Sequence, residues 1–211
     1  AGRRICREPT KVHWDPSMKP LRLVVLGIGS VRCAPPLIAA LASYFGERDL
    51  EVRLYDEDAE RLDLFDRLAR RCFLIEESKH TLLAFDDAFE ALEDADLVIV
   101  TLGENSARRF LKTHQVSTPK GDPIPSVAAA LIDRVPQEAA ILSLVPGLFM
   151  GADRSITNLD WPPEPSMEER RAIPHQVLRW IRSEESVHGL IDEHRQSQVK
   201  RWLDEHAHRR V

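Results

Sequence analysis

The chain has 211 residues, with 29 Lys and Arg against 34 Asp and Glu, for a net charge of −5. That balance speaks against a general nucleic-acid binder, which needs a concentrated excess of basic side chains. The length suits one fairly large domain, or one domain with an appendage, burying roughly 70% of its unfolded surface with no need of a disulfide or metal staple.

Residues 1–20 are polar, carry no apolar signal-peptide stretch and end at Pro20, which reads as an extended arm. Leu21–Leu26 is a nearly continuous apolar run stopped by Gly27, as suits a strand covered on both faces. A helix is expected over Pro35–Phe45, where Leu37, Ile38, Leu41 and Phe45 recur at helical spacing and Gly46 stops the run. Leu50–Tyr55 alternates with period two and ends on Asp56. From Glu57 to Glu76, Leu62, Phe65, Leu68, Ala69, Cys72 and Phe73 form a second helical stripe.

A short strand near Thr81–Phe85 follows, then a helix through Ala88–Ala95 capped by Asp86 or Asp87. Asp96–Leu102 is another buried strand, ended by Gly103. Residues 113–126 read as loop, Ser126–Arg134 as helix and Ala139–Val145 as a fifth strand. Residues 151–166 are loop-rich, and the last 45 read as amphipathic helices. The alternation implies an α/β fold, a doubly wound parallel sheet of Rossmann type over residues 21–150, with a C-terminal helical extension over 151–211.

The first strand runs directly into Gly27-Ile28-Gly29-Ser30-Val31-Arg32. In a strand–loop–helix of this kind the first glycine permits a tight turn, and the second removes a side chain where a pyrophosphate approaches the backbone. The following helix N-terminus offers N–H groups and a partial positive charge to the anion. Ser30 adds a hydroxyl. Arg32 stands where a full GxGxxG has its third glycine, so context carries most of the weight. Asp56, at the tip of the second strand, is placed to accept hydrogen bonds from ribose hydroxyls; Glu57 and Asp58 behind it would repel a 2′-phosphate, favouring NAD over NADP. The alternative is that the glycines only turn the chain and Asp56 caps the next helix.

Gly27–Arg32, then Pro35-Pro36-Leu37-Ile38, Leu54-Tyr55-Asp56-Glu57-Asp58, Arg61-Leu62 and Asp86–Ile99 together resemble the opening of the NAD-dependent family-four glycoside hydrolases, which include 6-phospho-glucosidases and α-galactosidases. The resemblance covers roughly residues 21–103, with a weaker echo at 139–147. It implies a Rossmann domain that holds NAD and, in the family, redox-assisted elimination at a sugar rather than two-carboxylate hydrolysis. It also implies residues that this sequence lacks. Leu144-Val145-Pro146 stands where the family has Asn-Pro, no cysteine follows Cys72, and Tyr44 and Tyr55 are the only tyrosines. Family members carry a large further domain, so the chain reads as a reduced relative that kept the nucleotide half.

The candidate cofactor-binding residues are therefore Gly27, Gly29, Ser30, Val31, Arg32, Asp56 and Glu57, with Leu102 and Gly103 at the end of the fourth strand. No catalytic residue stands out and no metal is expected, because the histidines, among them His188, His194, His206 and His208, share no ligand spacing. Cys33, behind the loop, is either a thiolate at a helix N-terminus or a half-buried packing residue. Lys112, His114 and Lys120 lie where side chains can reach the open strand ends, and Arg108 and Arg109 are either phosphate ligands or a solvated helix face.

The C-terminal apolar residues, such as Trp180, Ile181, Leu190 and Trp202, either cover the sheet or form a homodimer interface. Three widely spaced cysteines and no run of roughly 20 apolar residues suggest a soluble, cytoplasmic protein that binds neither membrane nor nucleic acid. Two functions fit: an NAD-dependent oxidoreductase or redox-assisted hydrolase acting on a sugar or sugar phosphate, or a non-catalytic nucleotide-binding or scaffold protein. A third reading leaves the loop empty.

Overall fold

The computed structural model describes residues 19–31, 33–117, 120–145, 156–158, 166, 168, 172 and 175–186. Six parallel strands form one sheet in the order β3-β2-β1-β4-β5-β6. They are β1 (Leu21–Leu26), β2 (Leu50–Tyr55), β3 (Thr81–Phe85), β4 (Leu97–Val100), β5 (Ala140–Ser143) and β6 (Ile156–Asn158). Chain order reverses between β1 and β4, so the carboxyl ends of these strands flank the crevice where this architecture places its ligands. Leu26 stands level with Tyr55 of β2 on one side and Val100 of β4 on the other.

The burial of each strand follows its position. All four residues of β4 and of β5 are buried, whereas β3, at the edge, has none fully buried. Alternation along β1 sends Leu21, Leu23 and Val25 to one face and Val24 and Leu26 to the other. The first face is covered by α1 (Ala34–Ala42), α2 (Ala59–Ile75) and a helix over residues 175–186, called α6 below. The second is covered by α3 (Ala88–Leu92), α4 (Glu104–Thr113) and α5 (Ile124–Ile132).

Several boundaries differ from the sequence reading, each for a local reason. The first helix ends at Ala42 because the Ser43 hydroxyl donates to the Ala39 and Ala40 carbonyls and the chain leaves the helix there. Tyr44 then turns into the core and Phe45 points outward, 73% exposed. Asp58, not Glu57, begins the second helix; its carboxylate accepts from the Arg61 N–H as an N-cap. Asp87 is the cap of α3, accepting from the N–H groups of Phe89 and Glu90. The Asp122 carboxylate accepts from the Ile124 N–H, so α5 starts two residues before Ser126.

Two elements went unread. α4 covers residues between the fourth strand and the loop at 113–126 that were assigned no element, although Ala107, Phe110 and Leu111 make a buried helical stripe. Ile156–Asn158, within the loop-rich stretch, pairs with β5 as the sixth strand. In α6, Val177, Trp180 and Ile181 are buried in the core, so these residues of the extension cover the sheet. Leu190 and Trp202 lie outside the described residues.

Candidate functional site

The turn after β1 is built from its glycines outward. Gly27 has φ +90, and a Cβ there would meet the side chain and backbone of Leu102 at 3.0 Å. The N–H groups of Gly27 and Ile28 both donate to the Tyr55 carbonyl, at 2.9 and 3.1 Å, joining the loop to the end of β2. Thr101, at the end of β4, donates its hydroxyl to the Leu26 and Gly27 carbonyls. The loop is therefore fixed from both neighbouring strands. Leu102 is its buried backing, whereas nothing lies near a Cβ added at Gly103, which serves as the N-cap of α4.

Gly29 meets Asp56 directly. Its N–H donates to Asp56 Oδ2 at 2.7 Å, and a Cβ on Gly29 would lie 2.6 Å from that oxygen. The other oxygen of Asp56 accepts from the Asp58 N–H at 3.0 Å. Asp56 thus clamps the loop to the β2 tip. Burial raises its carboxyl above the ordinary range, and the two backbone hydrogen bonds oppose that rise. The sequence alternatives, ribose acceptor or helix cap, omitted this role.

Glu57 is placed differently. Burial raises its pKa, against a hydrogen bond to the Ser106 side chain, and its Oε2 is buried with no hydrogen-bond partner. A buried carboxylate oxygen without a donor is unfavourable. Asp58 is held below the ordinary range, first by the Arg61 N–H, with Arg109 2.9 Å away on α4 and Arg61 at 3.6 Å. Of the three consecutive acids, Asp58 is thus already paired with cations.

The helix N-terminus offers fewer donors than the sequence suggested. Ser30 donates its N–H to the Gly27 carbonyl, Cys33 and Ala34 donate theirs to the Ser30 carbonyl, and Leu37 donates to Cys33. Pro35 and Pro36 have no N–H to give. Among the described loop residues the Val31 N–H and the Ser30 hydroxyl remain as anion donors, on an exposed turn where Val31 is 74% accessible. Arg32 lies outside the described residues. Cys33 is half-buried and packs against the core at the N-cap of α1.

α4 is tied to the β2 tip along its length through Ser106–Glu57, Arg109–Asp58 and His114–Tyr55, the last with 3.2 Å between the Tyr55 hydroxyl and His114 Nε2. Burial lowers the His114 pKa, and its ring lies against Phe89 and Phe110. Arg108 instead bonds Glu104 and the Gly121 carbonyl, bracing the turn toward α5. Lys112 and Lys120 are exposed. Sequence reasoning missed Thr101 and Ser106; a hydroxyl directly after an apolar strand was the available signal for Thr101 alone.

A separate cleft of about 420 Å³, lined by Phe89, His114, Ser126 and Arg134 among others, lies among α3, α4 and α5, away from the glycine loop. Among the described residues no three His, Cys, Asp or Glu side chains are grouped to hold a metal ion, and no helix is long and apolar enough to cross a membrane. His188, His194, His206 and His208 lie outside the described residues.

No curated protein sequence matches the chain. Among solved structures, it is similar to a 6-phospho-alpha-glucosidase from gut microorganisms in complex with NAD and glucose-6-phosphate, at 17% identity over 67% of this chain and 40% of that one, TM-score 0.47. It is also similar to the 6-phospho-beta glucosidase of Thermotoga maritima with manganese, NAD+ and glucose-6-phosphate, at 23% identity over 60% of this chain and 34% of that one, TM-score 0.43. A third is the lactate dehydrogenase of Cryptosporidium parvum, at 15% identity over 62% and 38% of the two chains, TM-score 0.41. The chain thus spans about two fifths of the length of these proteins. Residues 22–115 match the family described as Family 4 glycosyl hydrolase. That segment holds the glycine loop, the β2 acids and α4.

Proposed function

We propose that the chain binds NAD in the crevice above β1, β2 and β4, and that it acts as an oxidoreductase or redox-assisted hydrolase on a sugar or sugar phosphate. One observation carries the cofactor assignment. The buried Oε2 of Glu57 has no partner, at the strand tip where this architecture binds a ribose. Gly29 makes room for the Asp56 carboxylate, and the Ser30 hydroxyl and Val31 N–H remain available to a pyrophosphate. When bound, the nicotinamide would accept or donate hydride. The chain's own contribution is to orient it: Asp56 fixes the loop, Glu57 accepts from the ribose, and Leu102 supports Gly27.

NAD is favoured over NADP because the acids Asp56 and Glu57 at the end of β2 would repel a 2′-phosphate, while Asp58 contributes less through its pairing with Arg109. The sugar assignment rests on the family match and its named relatives. The proposed binding domain runs over residues 21–150, joined by β6 from the extension. A reducing, cytoplasmic setting is proposed from the cysteine spacing.

A specific observation also favours a non-catalytic nucleotide binder. Leu144 and Val145 precede Pro146 where the family has Asn-Pro, and the N-terminus of α1 lacks the N–H groups of Pro35 and Pro36. Calorimetry with NAD and NADP tests the shared claim. NAD should bind more tightly than NADP, and Asp56→Ala should weaken it by releasing the loop; no heat at about millimolar NAD would end both readings. Absorbance of reduced nicotinamide over a panel of sugar phosphates then separates enzyme from binder, since the binder gives no change.

A further inference from the structure

The cleft among α3, α4 and α5 has an aromatic floor. The His114 ring lies 4.5 Å from that of Phe89 and 4.6 Å from that of Phe110, centre to centre, and Phe110 is fully buried behind them. One wall is a face of α5. Ser126, Ala129, Ala130 and Asp133, the last at the helix C-cap, follow the three- and four-residue steps of a single helical face, while Val127, Ala128 and Leu131 are buried in the core. Small side chains along that face leave the space open. Its volume of about 420 Å³ falls within the roughly 300 to 1,000 Å³ usual for small-molecule sites.

The polar groups of the cleft lack the partners that a packed interface would supply. The His114 side chain is only 4% exposed, yet its Nδ1 makes no hydrogen bond to a described residue, the Asp87 carboxylate lying 4.0 Å away. Burial raises the pKa of Tyr55, so its hydroxyl stays protonated and, with no other acceptor among the described residues, donates to His114 Nε2. The ring proton then sits on Nδ1, as a donor. The hydroxyls of Ser117 and Ser126 have no hydrogen-bond partner among the described residues either. Arg134 stacks on Phe89, 4.5 Å from the ring centre, and pairs with no described acid. Asp133 likewise pairs with no described cation. The cleft therefore presents one unpaired cation and one unpaired anion beside an apolar surface of Phe89, Val116 and the two alanines.

We propose that this cleft is a second small-molecule site, and that it takes a free α-amino acid with an apolar side chain. Arg134 and the His114 N–H receive the carboxylate, Asp133 receives the ammonium, and the side chain lies against Phe89 and the α5 alanines. A zwitterion is the ligand class that answers both charges at once; a simple carboxylate would leave Asp133 unpaired, and a simple amine would leave Arg134 unpaired. Asp133 and Arg134 are both exposed, so each ion pair is weak in water, and a ligand of this size should bind with a dissociation constant of about 0.1 to 1 mM. None of the lining residues belongs to the proposed NAD site, so the two assignments fail independently.

Calorimetry of the full chain with L-phenylalanine tests this. The wild type should bind it, and phenylpropionate and phenethylamine, each lacking one of the two charges, should bind about tenfold more weakly. Arg134→Gln and Asp133→Asn should each weaken L-phenylalanine about tenfold. Ala129→Leu, at an exposed helix position, should fill the cleft and abolish binding with an unchanged circular-dichroism melt. No heat from the wild type at about 10 mM L-phenylalanine, or an affinity that survives Ala129→Leu or Arg134→Gln, overturns the proposal. Equal affinity for phenylpropionate, or no loss in Asp133→Asn, overturns the amino-acid assignment.

Discussion

The two ends of the sheet each hold a buried acid that joins distant segments, and they treat it differently. At the carboxyl end Asp56 clamps the glycine loop, and beside it Glu57 keeps an oxygen without a donor. At the amino end Glu185, from α6, accepts from the Tyr44 hydroxyl and the Arg48 N–H, both at 2.6 Å, and both its oxygens are used. His80 completes that end, accepting the Leu50 N–H at Nδ1 and bonding the Tyr44 carbonyl through Nε2, which fixes a neutral ring with its proton on Nε2. The cluster of Glu185, Tyr44, Arg48 and His80 at the amino end pairs its groups with one another, as suits stability. The carboxyl end retains an unmet acceptor, as suits a ligand.

The largest test of this contrast is Glu185→Ala. It leaves two buried donors without an acceptor and should lower unfolding free energy by about 3 kcal/mol. Urea unfolding followed by tryptophan fluorescence reads it, and a loss below about 1 kcal/mol would show that α6 does not hold this end. At the other end, Gly29→Ala drives a Cβ to 2.6 Å from Asp56 Oδ2. It should cost about 2 kcal/mol and abolish NAD binding. Wild-type affinity in that variant would mean the loop is not the cofactor site.

The buried histidines and the buried acids should also respond to pH in opposite senses. Burial lowers the folded pKa of His80, and of His114 on the α4 side. The native state then resists protonation, so stability is full above the ordinary histidine value of about 6.5 and falls as pH drops below it. For Asp56 and Glu57 burial raises the folded pKa, so their contribution is present at low pH and is lost as pH rises through the raised values. Unfolding free energy should fall by about 1 kcal/mol between about pH 7.5 and 5.5, and His80→Gln should flatten that slope. An unchanged slope in the variant would place the dependence elsewhere.

The smallest effect on stability is expected for Glu57→Gln, within about 0.5 kcal/mol of wild type, because removing a partly orphaned buried charge offsets the weaker hydrogen bond. NAD affinity should nevertheless fall about tenfold in calorimetry. Unchanged affinity would give the ribose to another acceptor.

The sequence was most legible where the physics is local. Leu21–Leu26, Leu50–Tyr55 and Asp96–Leu102 announced strands because burial on one or both faces selects the side chains along a single segment. Gly27 was legible for the same reason, since a positive φ excludes a Cβ whatever surrounds it. Pro35 and Pro36 were equally visible, yet their missing N–H groups bear on anion binding only once the neighbouring Ala34 and Leu37 N–H groups are known to bond within the chain.

By itself, then, the sequence determined the α/β alternation, the turn at Gly27 and the presence of acids after the second strand, because each depends on nearest neighbours along the chain. Tertiary structure decided what those acids do. Parallel pairing of β1 with β2 brings Gly29 against Asp56, and α4 crossing to the β2 tip pairs Asp58 with Arg109 while leaving Glu57 an oxygen unpaired. It also decided that Leu68 faces outward, since a helical stripe shows which residues align but not how wide a face its neighbours can cover.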